Sequence, residues 1–329
     1  MTQSADVRPE PSFQRKAAIA HGAPLDHAGA VEIHPIPDFD LNRTIFKTLE
    51  GRVPRAIMKR RVGKHVDWKD EATRDVQAAY ERATSDLDLP AIAPELMRFL
   101  VEECDFDVEH ADGSFLDHLY FCYEYSALHY PQRSPLVMLL HSILGTGTNT
   151  FAMPAEKIPA LRELLDPFDF EHTQAFPSVL RLLYAGDLRD ELRANAHRAD
   201  ALRSLSMHRV IDDAPIELSG EDVWIALNYQ LIHLVDFMPV ANWARHRNDT
   251  SFILFRDLYA ILETCGRLEA KVGYDASKAP PQIQGETLDM TGWLATKVPV
   301  SISERMAAKS VRRFSEQIGH SLNYELTWD

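Results

Sequence analysis

The chain has 329 residues, of which 45% are hydrophobic and 26% charged, and its formal net charge is -14. This balance is typical of a globular protein that can bury a substantial core. The acidic excess argues against a general nucleic-acid role, because neutralising phosphates requires a surplus of Lys and Arg. We therefore expect no nucleic-acid partner. Residues 55–64 form a local basic patch, for which a solvated helix end is the simpler interpretation.

The cysteines and the hydropathy pattern indicate the compartment. Cys104, Cys122 and Cys265 show no CxxC spacing, which favours a reducing compartment and argues against both a disulfide framework and a thiolate zinc site. No apolar run approaches the ~20 residues that a transmembrane helix needs, and the N-terminus lacks the hydrophobic core of a signal peptide. We predict a cytoplasmic protein with no membrane partner.

Taken in order, the chain begins with residues 1–40, which lack periodicity and are predicted to form a flexible arm. Helical patterns follow over residues 70–87 and from Pro94 onwards. The segment 114–150 reads SFLDHLYFCYEYSALHYPQRSPLVMLLHSILGTGTNT, two apolar helical segments joined by a proline turn. This segment is the most informative part of the sequence.

Each helical segment of residues 114–150 carries a histidine. His118, Cys122, Tyr125 and His129 recur at spacings of four, three and four, and therefore share one helical face. On that face Cys122 is interpreted as a small core residue, whereas Tyr125 could line a pocket. His141 lies in LVMLLHSIL, which is apolar on every side, so we expect it to be buried or at a pocket floor.

The loop GTGTNT leaves the second helix directly after this histidine. Gly145, Thr146 and Thr148 provide flexible backbone and hydroxyl groups suited to holding a polar or anionic ligand. The loop lacks a Lys and does not match a Walker pattern, so no nucleotide cofactor is predicted. A plain helix-ending turn is an equally good interpretation.

A later helix, VWIALNYQLIHLVDFM, follows the S-x-x-D capping box of Ser219 and Asp222. Its Asp236 lies on an otherwise apolar side. Because an isolated buried carboxylate is costly, Asp236 is expected to have a cationic, metal or hydrogen-bonding partner.

The sequence after this helix is also predicted to be largely helical. Asp249 caps a helix that ends at Gly266, residues 271–300 look like a loop that could serve as a lid or an oligomer contact, and a last helix starts at Ser303. We predict an all-α fold with a domain over residues 41–270. Residues 271–329 would then pack on that domain as a C-terminal loop and helix.

A helix with a histidine, a second helix ending LLHS and a later buried Asp resemble the HD-domain superfamily, whose helical bundles bind divalent metals through His and Asp. FLDHL at residues 115–119 and LLHSILGT at residues 139–146 are similar to the pattern LLDHL…LFHSxYGT of an uncharacterised bacterial helical family. The resemblance covers roughly residues 94–265. It implies an HD-domain-like bundle with His118, His141 and Asp236 as metal ligands. Ser142 stands where the superfamily has its paired Asp.

Two functions remain open. In the first, Fe, Mn or Zn bound by these ligands serves a hydrolase or an iron-dependent oxygenase that acts on a small polar or anionic substrate, with Ser142 and Tyr125 as candidate catalytic residues. Further histidines that could ligate, none with a distinguishing context, are His172, His197, His208 and His233. In the second, the protein is a non-catalytic module that binds a small molecule or a partner through a metal-free site.

Overall fold

The computed structural model describes residues 9–22, 30–40, 51–104, 109–110, 113–147, 153–237, 247–275 and 290–329. Within these ranges the fold is mostly helical. The helices are α1 (Phe13–His21), α2 (Arg52–Val62), α3 (Asp70–Thr84), α4 (Pro94–Glu103), α5 (Phe115–His129), α6 (Leu136–Leu140), α7 (Ile158–Leu164), α8 (Pro167–Ala185), α9 (Asp187–Ala194), α10 (Gly220–Val235), α11 (Thr250–Thr264), α12 (Met290–Thr296) and α13 (Val300–Ile318). Short 3-10 helices span Ala155–Lys157 and Ala196–Ala201.

In the described ranges, seven short strands correct the expectation of a strictly all-α fold. They are β1 (Val31–Pro35), β2 (Lys64–Trp68), β3 (Glu109–His110), β4 (Gly113–Ser114), β5 (Leu202–His208), β6 (Pro215–Ser219) and β7 (Glu325–Trp328). β1 pairs with β2, β3 pairs with β4, and the third sheet has the antiparallel order β6-β5-β7. The last pairing joins the C-terminus to residues more than a hundred positions earlier, so no local pattern predicts it.

Helix boundaries follow local signals in several places. The Ser219 hydroxyl accepts a hydrogen bond from the Asp222 backbone N–H, which confirms the predicted capping box before α10. Asp249 likewise accepts from the N–H groups of Ser251 and Phe252 at the start of α11. Gly266 follows α11 with a positive φ of 65°, as expected for a helix-terminating glycine.

The N-terminal segment differs from the expected flexible arm where it is described. It contains α1, in which Ala17, Ala18 and Ile19 are buried, and α1 packs against α3 and α5. The two alanines allow close helix approach, and the Gly22 carbonyl after α1 accepts the Tyr125 hydroxyl hydrogen bond. Tertiary contacts of small side chains thus order a segment whose sequence has no strong periodicity.

Two other expectations change in detail. α6 ends at Leu140, so that His141 lies in the turn after it rather than within a longer helix. The expected loop over residues 271–300 contains α12, and α13 begins at Val300 rather than at Ser303. Among the helices in the described ranges, none has both the length and the apolar character that crossing a bilayer requires.

The core places α5 at the centre of the molecule. One face of α5 contributes Phe121 and Tyr125 to a large cluster with α8, α10 and α11. Another face contributes Leu119 and Tyr123 to a second cluster with α4, α6 and α7. His118 therefore lies between two apolar clusters, where α5, α6 and α10 meet.

Candidate metal centre

Three histidines from three elements converge in the core. His118 on α5, His141 after α6 and His233 on α10 are buried, and their ligand atoms lie within 4.8 Å of one another. The ring centroids are 4.7–5.2 Å apart. Imidazoles bound tetrahedrally to one ion also have centroids about 5 Å apart, because each metal–nitrogen bond is about 2 Å. The three histidines could hold a metal ion.

Hydrogen bonds orient two of these rings toward each other. Nδ1 of His118 lies 2.7 Å from Oδ2 of Asp236, and Nδ1 of His141 lies 2.7 Å from the carbonyl oxygen of Met138. A carbonyl or ionised carboxylate oxygen can only accept, so each Nδ1 donates. In neutral rings each Nε2 then carries a lone pair, and these two nitrogens are 3.2 Å apart. Such facing lone pairs repel unless a metal ion or a proton lies between them.

Asp236 has two partners, which confirms the expectation that this buried carboxylate is compensated. The Arg15 guanidinium donates from Nε to Oδ1 at 2.9 Å and from Nη2 to Oδ2 at 3.0 Å. Burial by itself raises the pKa of Asp236, but the charge of Arg15 and the hydrogen bond from His118 lower that pKa well below its usual range. The carboxylate is therefore ionised, and it contacts His118 on the ring side away from His141.

In this arrangement Asp236 is not one of the three clustered groups, although it was predicted to be a metal ligand. His118, His141 and Asp236 do come together, as expected. However, Asp236 bonds to the outer nitrogen of His118 and to Arg15, whereas the third group of the ligand cluster is His233. A carboxylate behind a metal-binding histidine is common, because it fixes the ring and raises its basicity.

Aromatic rings and a thiol surround the imidazoles. The Phe176 ring is 4.8 Å from that of His141, and the Phe237 ring is 5.1 Å from that of His233. The Cys122 thiol lies 3.9 Å from Nδ1 of His118. Burial and the charge of Asp236 raise the pKa of Cys122 despite the opposing charge of Arg15, so the thiol stays neutral, in line with its predicted packing role.

The two candidate catalytic residues have different surroundings. Tyr125 is buried on α5 and donates its hydroxyl to the Gly22 carbonyl at 2.7 Å, and burial raises its pKa. Its hydroxyl is thus used to attach the end of α1 to α5. Ser142 follows His141, is buried, and its backbone carbonyl accepts from the Gly145 N–H.

The predicted ligand loop runs along α8. Gly145 has a φ of 128°, and a Cβ there would lie 2.7 Å from Val210, so a glycine is required for conformation and for space. The Thr146 carbonyl accepts from the Arg181 guanidinium at 2.8 Å. Thr148 lies outside the described residues. These contacts give Gly145 and Thr146 structural roles. That the loop binds a ligand remains a prediction.

Of the four further histidines, the structure brings only His233 to His118 and His141. His172 bonds to Asp222, His197 is exposed, and His208 lies on β5. The sequence contained one indication that His233, among the four further histidines, belongs to the cluster. His233 precedes Asp236 by three residues, so the two share a side of α10, and Asp236 was already expected to have a site partner.

The partner Arg15 had no such signal, because it is 221 positions from Asp236. No protein-family model, no curated protein and no solved structure matches the chain. The resemblance to HD domains therefore remains a prediction from sequence. The site is interpreted from its own residues.

Proposed function

We propose that His118, His141 and His233 bind one divalent metal ion and that the protein is a metal-dependent hydrolase acting on a small polar substrate. The observation that carries this proposal is the convergence of the three imidazoles, with the two Nε2 atoms 3.2 Å apart. Two nitrogens bound to one tetrahedral Zn²⁺ are about 3.3 Å apart, so the rings need little adjustment to share an ion.

The donor set favours zinc. Imidazole ligands suit Zn²⁺ and Fe²⁺, whereas Mn²⁺ prefers carboxylate and carbonyl oxygens. The nearest carboxylate, Asp236, has both oxygens bonded to Arg15 and one also bonded to His118. Fe²⁺ is also compatible with the histidines, so an iron-dependent oxygenase is the alternative to the hydrolase. Metal analysis distinguishes the two.

The charges around the site support water activation. Three neutral imidazoles leave the ion its full charge, and Arg15 offsets the carboxylate behind His118. A zinc ion held by these three histidines would lower the pKa of a bound water to about 7 and so would supply a nucleophile at neutral pH. The chain's own contribution is to fix the ring orientations through Asp236 and the Met138 carbonyl, and to exclude bulk water with Phe176 and Phe237.

One observation favours a second, non-catalytic function. The distance of 3.2 Å between the Nε2 atoms also fits an N–H···N hydrogen bond, if His118 is protonated on both nitrogens and balanced by Asp236. The cluster would then be a metal-free polar group within a binding protein.

Metal analysis of protein purified without a histidine tag separates the two. We expect about one equivalent of zinc per chain and hydrolysis of small ester or phosphoester substrates that a chelator abolishes. Fewer than about 0.1 equivalents after purification and after dialysis against zinc would contradict the metal site. A stoichiometric ion with no chelator-sensitive hydrolysis would retain the site and refute the hydrolase.

A further inference from the structure

Helix α12 exposes a stripe of large apolar side chains. Met290, Trp293 and Leu294 are 79%, 52% and 53% exposed, and Lys297 follows on the same face. Their spacing of three, four and seven residues defines one side of a helix. The Lys297 ammonium lies 5.5 Å from the centroid of the Trp293 ring. The stripe thus combines an apolar body with a basic end.

Helix α13, which follows α12 after three intervening residues, repeats the arrangement. Ile302, Arg305, Met306 and Lys309 have the same spacing, and all four side chains are exposed. We call these two stripes together the α12–α13 face. α12 with the Lys297 that follows it, and α13, therefore turn apolar and basic groups toward solvent, where amphipathic helices of a globular protein normally present polar residues.

The orientation of α12 is fixed by contacts on its other side. Gly292 and Ala295 are buried there. The buried Asn248 amide donates to the carbonyls of Ala295 at 2.8 Å and Val298 at 2.6 Å, which holds the end of the helix. The exposure of Trp293 follows from this packing.

The charge of the α12–α13 face is opposite to that of the whole chain. Residues 290–309 contain three cations, Lys297, Arg305 and Lys309, and one acidic residue, Glu304. Glu304 pairs with Arg189 at 2.8 Å. The basic helix α2 packs against α12 and exposes Arg52 and Lys59. A basic apolar region on a chain of net charge -14 is thus a local feature that complements an anionic partner.

We propose that the α12–α13 face is a peripheral contact surface for a membrane that contains anionic phospholipids. Trp, Leu, Ile and Met side chains beside Lys and Arg are typical of helices that lie in the bilayer interface, where the apolar groups enter the acyl boundary and the cations contact headgroup phosphates. Such a helix lies in the membrane plane and need not span it. The aliphatic share of the face favours lipid over nucleic acid, whose bases bind by stacking on aromatic rings and Arg.

Vesicle flotation with the full chain tests this surface. We expect the protein to float with phosphatidylcholine vesicles containing 30% phosphatidylglycerol, to bind pure phosphatidylcholine vesicles at least tenfold more weakly, and to be released by 0.5 M NaCl. Trp293→Ser combined with Leu294→Ser removes two of the five apolar side chains of the face and should weaken binding to the anionic vesicles. Lys297→Glu combined with Lys309→Glu should lower binding by about fivefold or more for each cation.

Arg74→Glu combined with Arg82→Glu is the matched control, because it likewise reverses two charges, at exposed positions of α3. It should leave vesicle binding nearly unchanged. Absence of binding to anionic vesicles, or binding by the serine and glutamate variants that equals wild-type binding, would overturn the proposal. Sedimentation velocity that shows a dimer lost in the serine variant would assign the face to a second copy. Binding of a single-stranded oligonucleotide in place of vesicles would assign it to nucleic acid.

Discussion

Two buried histidine–aspartate pairs, His118–Asp236 and His172–Asp222, have similar chemistry and different surroundings. The nitrogen–oxygen distances are 2.7 Å and 3.2 Å, and both histidines are 1% exposed. Asp236 is enclosed together with Arg15. Asp222 belongs to the capping box at the start of α10, and its side chain is 25% exposed.

The neighbours of each ring account for the difference in role. The ring of His172 contacts Phe168 and Tyr229, with centroids 4.3 Å and 5.8 Å away, respectively. The ring of His118 contacts Phe237 and, in addition, two other imidazoles. A histidine–carboxylate pair orients a metal ligand only where the other ring nitrogen faces further ligands. Elsewhere the same pair ties one helix to another.

The largest expected effect concerns metal content. Substituting His118, His141 or His233 singly by Gln should reduce bound zinc from about one equivalent to less than 0.1, because two nitrogens hold an ion weakly. His172→Gln is the matched control and should keep the full equivalent. Plasma emission spectrometry on untagged protein measures both. If His172→Gln lost the metal as completely as the three other variants, the two pairs would not differ in role.

Chelation should reveal the same difference in stability. An ion present at about a thousand times its dissociation constant stabilises the folded state by about 4 kcal/mol. EDTA should therefore lower the melting temperature of the wild type and of His172→Gln by similar amounts. His233→Gln should melt at the same temperature with and without EDTA. A chelator effect that persists in His233→Gln would place the ion elsewhere.

The next largest effects should distinguish the substitution of Asp236 from that of Asp222. Asp236→Asn should weaken metal affinity about 10- to 100-fold through the orientation of His118, and should destabilise the fold by about 3–5 kcal/mol because the buried Arg15 guanidinium loses its carboxylate partner. Asp222→Asn should leave the metal affinity unchanged and cost about 1 kcal/mol at the helix cap. Titration with a competing zinc indicator and urea unfolding give the two quantities.

A double variant separates the contributions at Asp236. Arg15→Met combined with Asp236→Asn also removes the buried guanidinium that has lost its carboxylate partner, so it should regain stability relative to Asp236→Asn while the metal affinity stays low. Recovery of both properties would show that Asp236 acts on the fold alone and has no role in orienting His118.

A smaller effect is expected at Tyr125. Tyr125→Phe removes the hydrogen bond to the Gly22 carbonyl, which should cost about 1 kcal/mol because that carbonyl still accepts from the Gly273 N–H. Metal content should not change, and neither should the maximal rate of any hydrolysis, since the hydroxyl bonds to α1. A rate loss of more than tenfold with stability intact would instead support the predicted catalytic role of Tyr125.

The smallest effect is the pH dependence of the cap. The hydrogen bond from His172 lowers the pKa of Asp222, against the opposing effect of burial, and Ser219 lowers it further. A carboxyl whose pKa is lower in the folded chain stabilises the fold above its unfolded pKa, and this contribution is lost as pH falls through the folded pKa. The stability difference between the wild type and Asp222→Asn should therefore shrink between pH 6 and pH 3 in urea unfolding. A difference that grows toward low pH would contradict this assignment.

The sequence determined those parts of the molecule that depend on neighbouring residues. The capping groups of Ser219 and Asp249 and the terminating Gly266 were predicted correctly, because their hydrogen bonds and dihedral angles are local. The burial of His118 and His141 was also predicted, since each lies in an apolar helical segment. The apolar surroundings of Asp236 predicted a compensating partner without identifying it.

Only the tertiary structure decided which distant groups meet. Arg15 reaches Asp236 because α1 packs on α3 and α5, although residues 1–40 lack the periodicity of a core helix. His233 joins the cluster because the packing of α10 directs it toward α5 and α6. His172 lies on α8 and contacts Asp222 in the cap of α10, so it does not join. β7 joins β5 across the length of the C-terminal half. Contacts between residues that are far apart in sequence depend on how whole helices pack, and the pattern within a single helix carries no information about that choice.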